Sequence, residues 1–189
     1  MLETKRLKLR QWIDADFIPF QKLTSDTIVM EYFPSTLTSR ESDALAKRFQ
    51  NLIASRGWGF WAVEEKSSAK FIGYVGLHEP ASPLPFKPCV EIGWRLLKEY
   101  WGKGYATEAG AEALRFAFEE LKLDEVVSFT AVINTRSEAV MKRLGMRNSH
   151  KNFEHPFVPI THKLREHLLY RLTKEEFEMI SEEKKSEKR

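Results

Sequence analysis

The sequence has very little cysteine: one residue, Cys89, in a chain of 189. One thiol cannot close an internal disulfide, so stability is expected to come from packing and the compartment to be reducing. Apolar runs are short as well. None approaches the about 18 residues that span a bilayer, and the charged stretch from Met1 to Arg10 lacks the apolar core of a secretory leader. These absences predict a cytoplasmic protein with no membrane partner. Excess charge of one sign is scarce too. The formal balance is +3, too small to imply a nucleic-acid partner unless it is concentrated. The five histidines show no recognisable zinc spacing, so no metal is expected. The chain also has no internal repeat.

What is present is ordinary for a globular protein. Hydrophobic residues make up 42% and charged residues 30% of the sequence, which excludes disordered and fibrous classes. The length suits one domain, read here as 1–173 followed by a mixed-charge tail, 174–189, that is expected to fray. The composition accommodates a monomer or a homodimer. Positive charge does gather between Ala139 and Arg171, where seven cationic residues face two anionic ones and four of the histidines also lie. A solvated basic face and a patch for a phosphorylated ligand both remain open for that segment.

Periodicity gives the element order. Leu7 and Leu9 alternate with Arg6, Lys8 and Arg10, the period of a strand. Asp16 is expected to cap a short helix that places Pro19 in its first turn. Thr38 and Glu41 form a capping box for a second helix with Leu45, Phe49, Leu52 and Ile53 on one face, stopped by Gly57. Phe60–Glu65, Phe71–Leu77 and Cys89–Leu97 read as strands of a meander. The four prolines between Glu79 and Pro88 make a surface loop. Gly104–Leu121 is helical, Val126–Ile133 is a buried strand, and Thr135 with Glu138 opens a short helix that Gly145 ends. Leu168–Leu172 is a last strand. The whole is a mixed α/β sheet protein.

The chemistry concentrates at Glu99-Tyr100-Trp101-Gly102-Lys103-Gly104-Tyr105-Ala106, between a strand and a helix. Two glycines let the backbone approach a ligand, and the helix start offers unpaired N–H groups and a positive dipole end. A pyrophosphate fits such a place. A dinucleotide fold is disfavoured because the next strand ends at Ile133-Asn134 with no acidic residue for a ribose hydroxyl. A P-loop is excluded by the absence of Gly-Lys-Ser or Gly-Lys-Thr.

Four blocks in order, Glu91-Ile92-Gly93-Trp94, Tyr100 to Glu108, Asn134-Thr135-Arg136-Ser137 and Arg143-Leu144-Gly145-Met146, resemble the GNAT N-acetyltransferases. Within them the chain is most similar to the branch containing the ribosomal-protein N-terminal acetyltransferases. The resemblance covers Leu2 to Leu172. It implies a central mixed, mostly antiparallel twisted sheet with helices on both faces, and acetyl-CoA as cosubstrate. Its fourth and fifth strands, here Cys89–Leu97 and Val126–Ile133, splay apart, with the pantetheine arm sliding between them. Glu99 stands where the family usually has Gln or Arg, which removes one side-chain contact and leaves the main-chain donors.

The resemblance further implies cofactor contacts at Ile92, Gly93, Trp94 and Arg95, at Trp101, Gly102, Lys103, Gly104, Tyr105 and Ala106, and at Asn134 and Ser137. Ser137 matches a serine that reprotonates the departing thiolate. Glu91 is the first candidate for the general base, with a salt bridge to Arg95 as its structural alternative; Glu108 and Glu79 are weaker candidates. Asn134 and Ser137 could equally be polar residues in a helix's first turn. The acceptor pocket is expected near Tyr32, Phe33, Trp58 and His78. The acceptor is an amine, either a protein N-terminus or a small molecule, and a non-catalytic acyl-CoA-binding module is the reading from another class. An attacking amine must be neutral. An N-terminal amine with a pKa near 8 meets that cheaply, whereas a lysine-like amine at about 10.4 costs roughly 4 kcal/mol.

Overall fold

The computed structural model describes residues 1–186. It comprises two compact units, one of 1–78 and 92–113, the other of 79–91 and 114–189. The fold is mixed α/β, as the alternation of periods predicts.

In the first unit β1 (Leu2–Glu3), β2 (Leu7–Arg10), β3 (Phe60–Glu65) and β4 (Lys70–His78) form an antiparallel meander, with β5 (Glu91–Leu96) beside β4. Helices α1 (Phe17–Ser25) and α2 (Ser39–Arg56) belong to the same unit. Its core is aromatic. Trp12 meets Phe20 edge-on at 5.0 Å and Phe71 at 5.5 Å, and Phe60 meets Tyr74 at 5.1 Å. The indole N–H of Trp12 donates to the Phe60 carbonyl at 2.7 Å, so the buried polar edge is satisfied.

Two local expectations change here. The Thr38–Glu41 capping box forms as expected, but the buried stripe of α2 is Ser42, Ala46, Phe49 and Ile53, with Leu45 and Leu52 only half-buried. Asp16 does not cap α1 with its side chain. The chain enters through a 3-10 turn, and the Asp16 carboxylate takes the Ile13 N–H and both outer nitrogens of Arg10, at 2.7 and 2.9 Å. A buried acid takes a cation where one is in reach.

In the second unit β6 (Glu125–Ala131) and β9 (Glu166–Thr173) pair antiparallel over their length, and the short β7 (Arg147–Asn148) and β8 (Phe153–Glu154) pair with β9. Glu91, the first residue of β5, pairs in parallel with Val127, the one register pair between those two strands among the described residues. Helix α3 (Tyr105–Arg115), which belongs to the first unit as far as Ala113, runs on into a wider turn, Phe116–Glu120, closed by the Leu121 N–H on the Phe116 carbonyl. Helix α4 (Thr135–Arg143) is capped by Asn134 and not by Thr135: Asn134 lies outside the helix, and its side chain accepts the Ser137 N–H. The charged segment expected to fray is helix α5 (Lys174–Ser186), whose Phe177 stacks on Phe118 at 4.8 Å. Residues 187–189 of the expected tail lie outside the described residues. No helix among those described is long and apolar enough to cross a membrane.

Candidate functional site

The glycine loop lies in the first unit, between β5 and α3. Gly102 and Gly104 have φ of +72° and +78°, the left-handed region that side chains oppose. A Cβ on Gly102 would meet nothing within 4 Å. The glycines thus serve backbone direction and leave the space beside the chain open. The first main-chain bond of α3 runs from the Glu108 N–H to the Gly104 carbonyl at 2.9 Å. The N–H groups of Gly102, Lys103, Gly104, Tyr105, Ala106 and Thr107 meet no acceptor among the described residues. That run of donors at a helix start is a cradle for a polyanion. Trp101 anchors the loop by donating its indole N–H to the Leu96 carbonyl at 2.8 Å, while Lys103 lies 5.1 Å from the Tyr100 ring centroid.

Arg6 is a contributor that the strand alternation did not single out. Its guanidinium lies 4.4 Å from the Tyr105 ring centroid, and its Nη2 would be 3.6 Å from a Cβ on Gly104. It places a second cation at the loop. Glu108 holds it there, taking the Arg6 Nε–H at 2.6 Å, the Arg6 main-chain N–H at 2.8 Å and the Thr4 hydroxyl at 2.6 Å. Burial pushes the Glu108 carboxyl up, but these donors outweigh it and hold the group below the ordinary range. An ionised carboxylate with its lone pairs occupied is a poor base.

Glu91 is the opposite case. Its carboxyl takes no hydrogen bond or ion pair among the described residues, and burial alone pushes it up from 4.5 to about 8. A carboxyl whose pKa lies near neutrality by desolvation is what proton abstraction at physiological pH requires. Glu79 is exposed in the proline loop.

Asn134 and Ser137 are brought together in the second unit. Besides capping α4, the Asn134 amide donates to the Thr130 hydroxyl at 2.9 Å and to the Ser137 hydroxyl at 3.1 Å. That fixes the Ser137 oxygen as an acceptor and leaves its own proton undonated among the described residues.

The expected acceptor residues lie in the first unit but do not share one set of contacts. Phe33 is exposed, and the Arg95 guanidinium stands 3.7 Å from its ring centroid. Tyr32 is half-buried beside it in the chain. Trp58 is covered by Arg56 at 3.6 Å. His78 lies 5.4 Å from Phe60, and its Nδ1 is buried without a hydrogen-bond partner. Desolvation, then Arg48 and Arg56, lowers His78 to about 4, so it is neutral at physiological pH. Phe60 also faces β5, since a Cβ on Gly93 would lie 3.1 Å from its ring. Ile92 is buried on β5, with Trp94 and Arg95 half-buried.

Cys89 is inert: desolvation first, then Glu91, raises its thiol to about 11. The His155 and His167 rings lie 4.9 Å apart at a tilt, and His167 lies beside Phe153 and Phe129. Burial depresses both histidines, His167 to about 4. Among the described residues no group of three His, Cys, Asp or Glu is placed to hold a metal.

These features coincide with a known family. The model of the acetyltransferase (GNAT) domain matches residues 6–147. An uncharacterized N-acetyltransferase, YnaD, of Bacillus subtilis is 30% identical over 146 residues, covering 77% of this chain and 82% of that one. The FsC-acetyl coenzyme A-N(2)-transacetylase of Aspergillus fumigatus is 31% identical over 163 residues, covering 82% of this chain and 68% of that one. The crystal structure of a GNAT-family acetyltransferase from Bacillus anthracis superposes with a TM-score of 0.77 at 26% identity, covering 92% of this chain and 98% of that one. The chain therefore belongs to the GNAT acetyltransferases, enzymes that use acetyl-CoA.

Proposed function

We propose that the protein transfers the acetyl group of acetyl-CoA to a primary amine by direct attack within a ternary complex. The observation that carries this reading is the run of unbonded N–H groups from Gly102 to Thr107 at the start of α3, with Arg6 and Lys103 beside it. That donor set fits a pyrophosphate. The acetyl thioester supplies an activated acyl group. This chain's residues do the rest. The loop holds the phosphates, Glu91 accepts the proton of the bound amine and releases it to solvent, and the Ser137 hydroxyl, oriented by Asn134, gives a proton to the departing sulfur and regains one from solvent. Asn134 also borders the pantetheine arm on this reading.

The Aspergillus fumigatus relative transfers acetyl from acetyl coenzyme A to an N(2) position, which supports a nitrogen acceptor. Two acceptor classes follow from the sequence: a small amine, or the N-terminal amine of a protein as in the ribosomal branch. Initial rates over a panel of small amines, lysine-like amines and peptide N-termini test the reading. Intersecting double-reciprocal lines are expected for a ternary complex. Parallel lines, or release of CoA ahead of amine addition, would replace it with a covalent acyl-enzyme.

A further inference from the structure

Arg95 is a cation without its counter-charge. Arg6, Arg10, Arg115, Arg165 and Arg171 each hold a carboxylate within hydrogen-bonding distance. Arg95 is half-buried and holds none among the described residues. Among the described residues its Nε–H is buried with no acceptor, and its Nη1 reaches only the Met30 sulfur at 3.3 Å, a weak acceptor. Phe33 covers one face of the guanidinium at 3.7 Å, and the Tyr74 centroid is 5.4 Å away. Aromatic cover fixes the plane of the fork.

Leaving a guanidinium this way costs free energy that a fold does not recover by itself. Burial, with only Tyr74 opposing it, pulls the group below an arginine's ordinary range, yet a guanidinium stays charged at neutral pH. The fork is a preorganised receptor for a planar anion, and a carboxylate matches two of its donors at once. Its position makes the anion part of the acceptor. Gly93 and Arg95 share one face of β5, two residues and so about 7 Å apart, and Gly93 lies on the stretch beside which the thioester is expected.

Resting on the acetyl-transfer reading above, we propose that the acceptor amine carries a carboxylate a few bonds from its nitrogen, and that Arg95 is the residue that selects for it. The carboxylate belongs to a free amino acid or to an acidic side chain at a peptide N-terminus. Polyamines are disfavoured on this ground, because Arg95 would repel them.

The test starts with acetyl-CoA affinity by calorimetry and then compares matched acceptors: free amino acids against their amides, and peptides with Asp at the second position against Asn. Wild-type kcat/KM should favour the carboxylate member of at least one pair by about 10²-fold. Arg95→Gln should bring that pair to near equality, mainly through KM of the carboxylate member, and Arg95→Lys should restore only part of the preference because the fork is lost. The pair showing the preference identifies the source of the carboxylate. Equal or better turnover of uncharged partners by the wild-type enzyme overturns the proposal even if the variants do not fold. Weakened acetyl-CoA binding in Arg95→Gln with an intact preference overturns it too. Acetyl-CoA bound with no transfer to any amine would instead defeat the acetyl-transfer reading itself, and this proposal with it.

Discussion

Glu91→Gln tests the general base most directly, because the environment of Glu91 makes a quantitative demand. Its carboxyl titrates near 8 instead of 4.5, so about one molecule in ten is ionised at pH 7. If the ionised form receives the ammonium proton, wild-type kcat/KM should rise close to tenfold per pH unit and bend near 8, whichever amine is used. Glutamine keeps the shape and removes the base, lowering the rate about 10² to 10⁴-fold. The bend in the variant should move to the acceptor's own pKa. An acceptor near 10 separates the two, and the deficit should then narrow above pH 8 as neutral amine becomes available. Stability supplies a second readout. A folded-state pKa above the unfolded value means that the folded protein binds the proton more tightly. The stabilisation this gives is complete below about pH 4.5 and is lost as pH rises to about 8, at up to about 1.4 kcal/mol per unit. Glu91→Gln abolishes that loss, so its advantage in denaturant unfolding should widen between pH 5 and pH 9. A wild-type bend that follows the acceptor's pKa, or a variant with a parallel profile and near-normal rates, would remove Glu91 from the mechanism.

Three further outcomes are expected. Gly104→Val forces a β-branched residue into φ of +78° and crowds the loop, so acetyl-CoA affinity measured by calorimetry should fall at least about tenfold while circular dichroism stays native; unchanged affinity would put the phosphates elsewhere. Ser137→Ala should lower kcat with little change in acetyl-CoA affinity, since a proton donor acts in the transition state; a loss confined to binding would make Ser137 a positioning residue. Arg10→Gln strands Asp16, which is only 2% exposed, and should cost about 3–5 kcal/mol in urea unfolding; a loss below about 1 kcal/mol would show that Asp16 finds other solvation.

Local signals carried much of this structure, and long-range ones did not. The alternation at Leu7 and Leu9, the Thr38–Glu41 box and the glycine pair before α3 are each complete within a few residues, and each matches the observed element. Asn134 and Thr135 are adjacent residues of the same capping chemistry, so composition could not choose between them. The path of the chain chose, because Asn134 at φ of −86° and ψ of 70° is outside the helix while Thr135 is inside it. In α5 the apolar pair Phe177 and Ile180 sits among charges that hid its face, and its partners Phe118 and Gly145 are remote in sequence. Arg6 could not be singled out for the same reason: its partner Glu108 is 102 residues away. The missing partner of Arg95 is likewise a property of the folded neighbourhood that a strand pattern does not express.

Two of the three glutamates considered for catalysis illustrate how environment, and not residue type, assigns roles. Glu108 and Glu91 are both on elements flanking the chemistry, and either could be written as a base from sequence. Three donors converge on Glu108, so its charge is already committed to placing Arg6 at the glycine loop. Glu91 has desolvation and no donor among the described residues, so its proton affinity rises into the range where a proton can be taken and released. The arginines divide in the same way. Arg6 is neutralised by the acid that positions it, which suits a residue that must stay in place whether or not ligand is bound. Arg95 is oriented by an aromatic ring and a thioether, neither of which cancels its charge. A group that is held but not neutralised keeps its binding energy for the molecule that completes it, and this is why the specificity of the enzyme is sought at Arg95 and its proton transfer at Glu91.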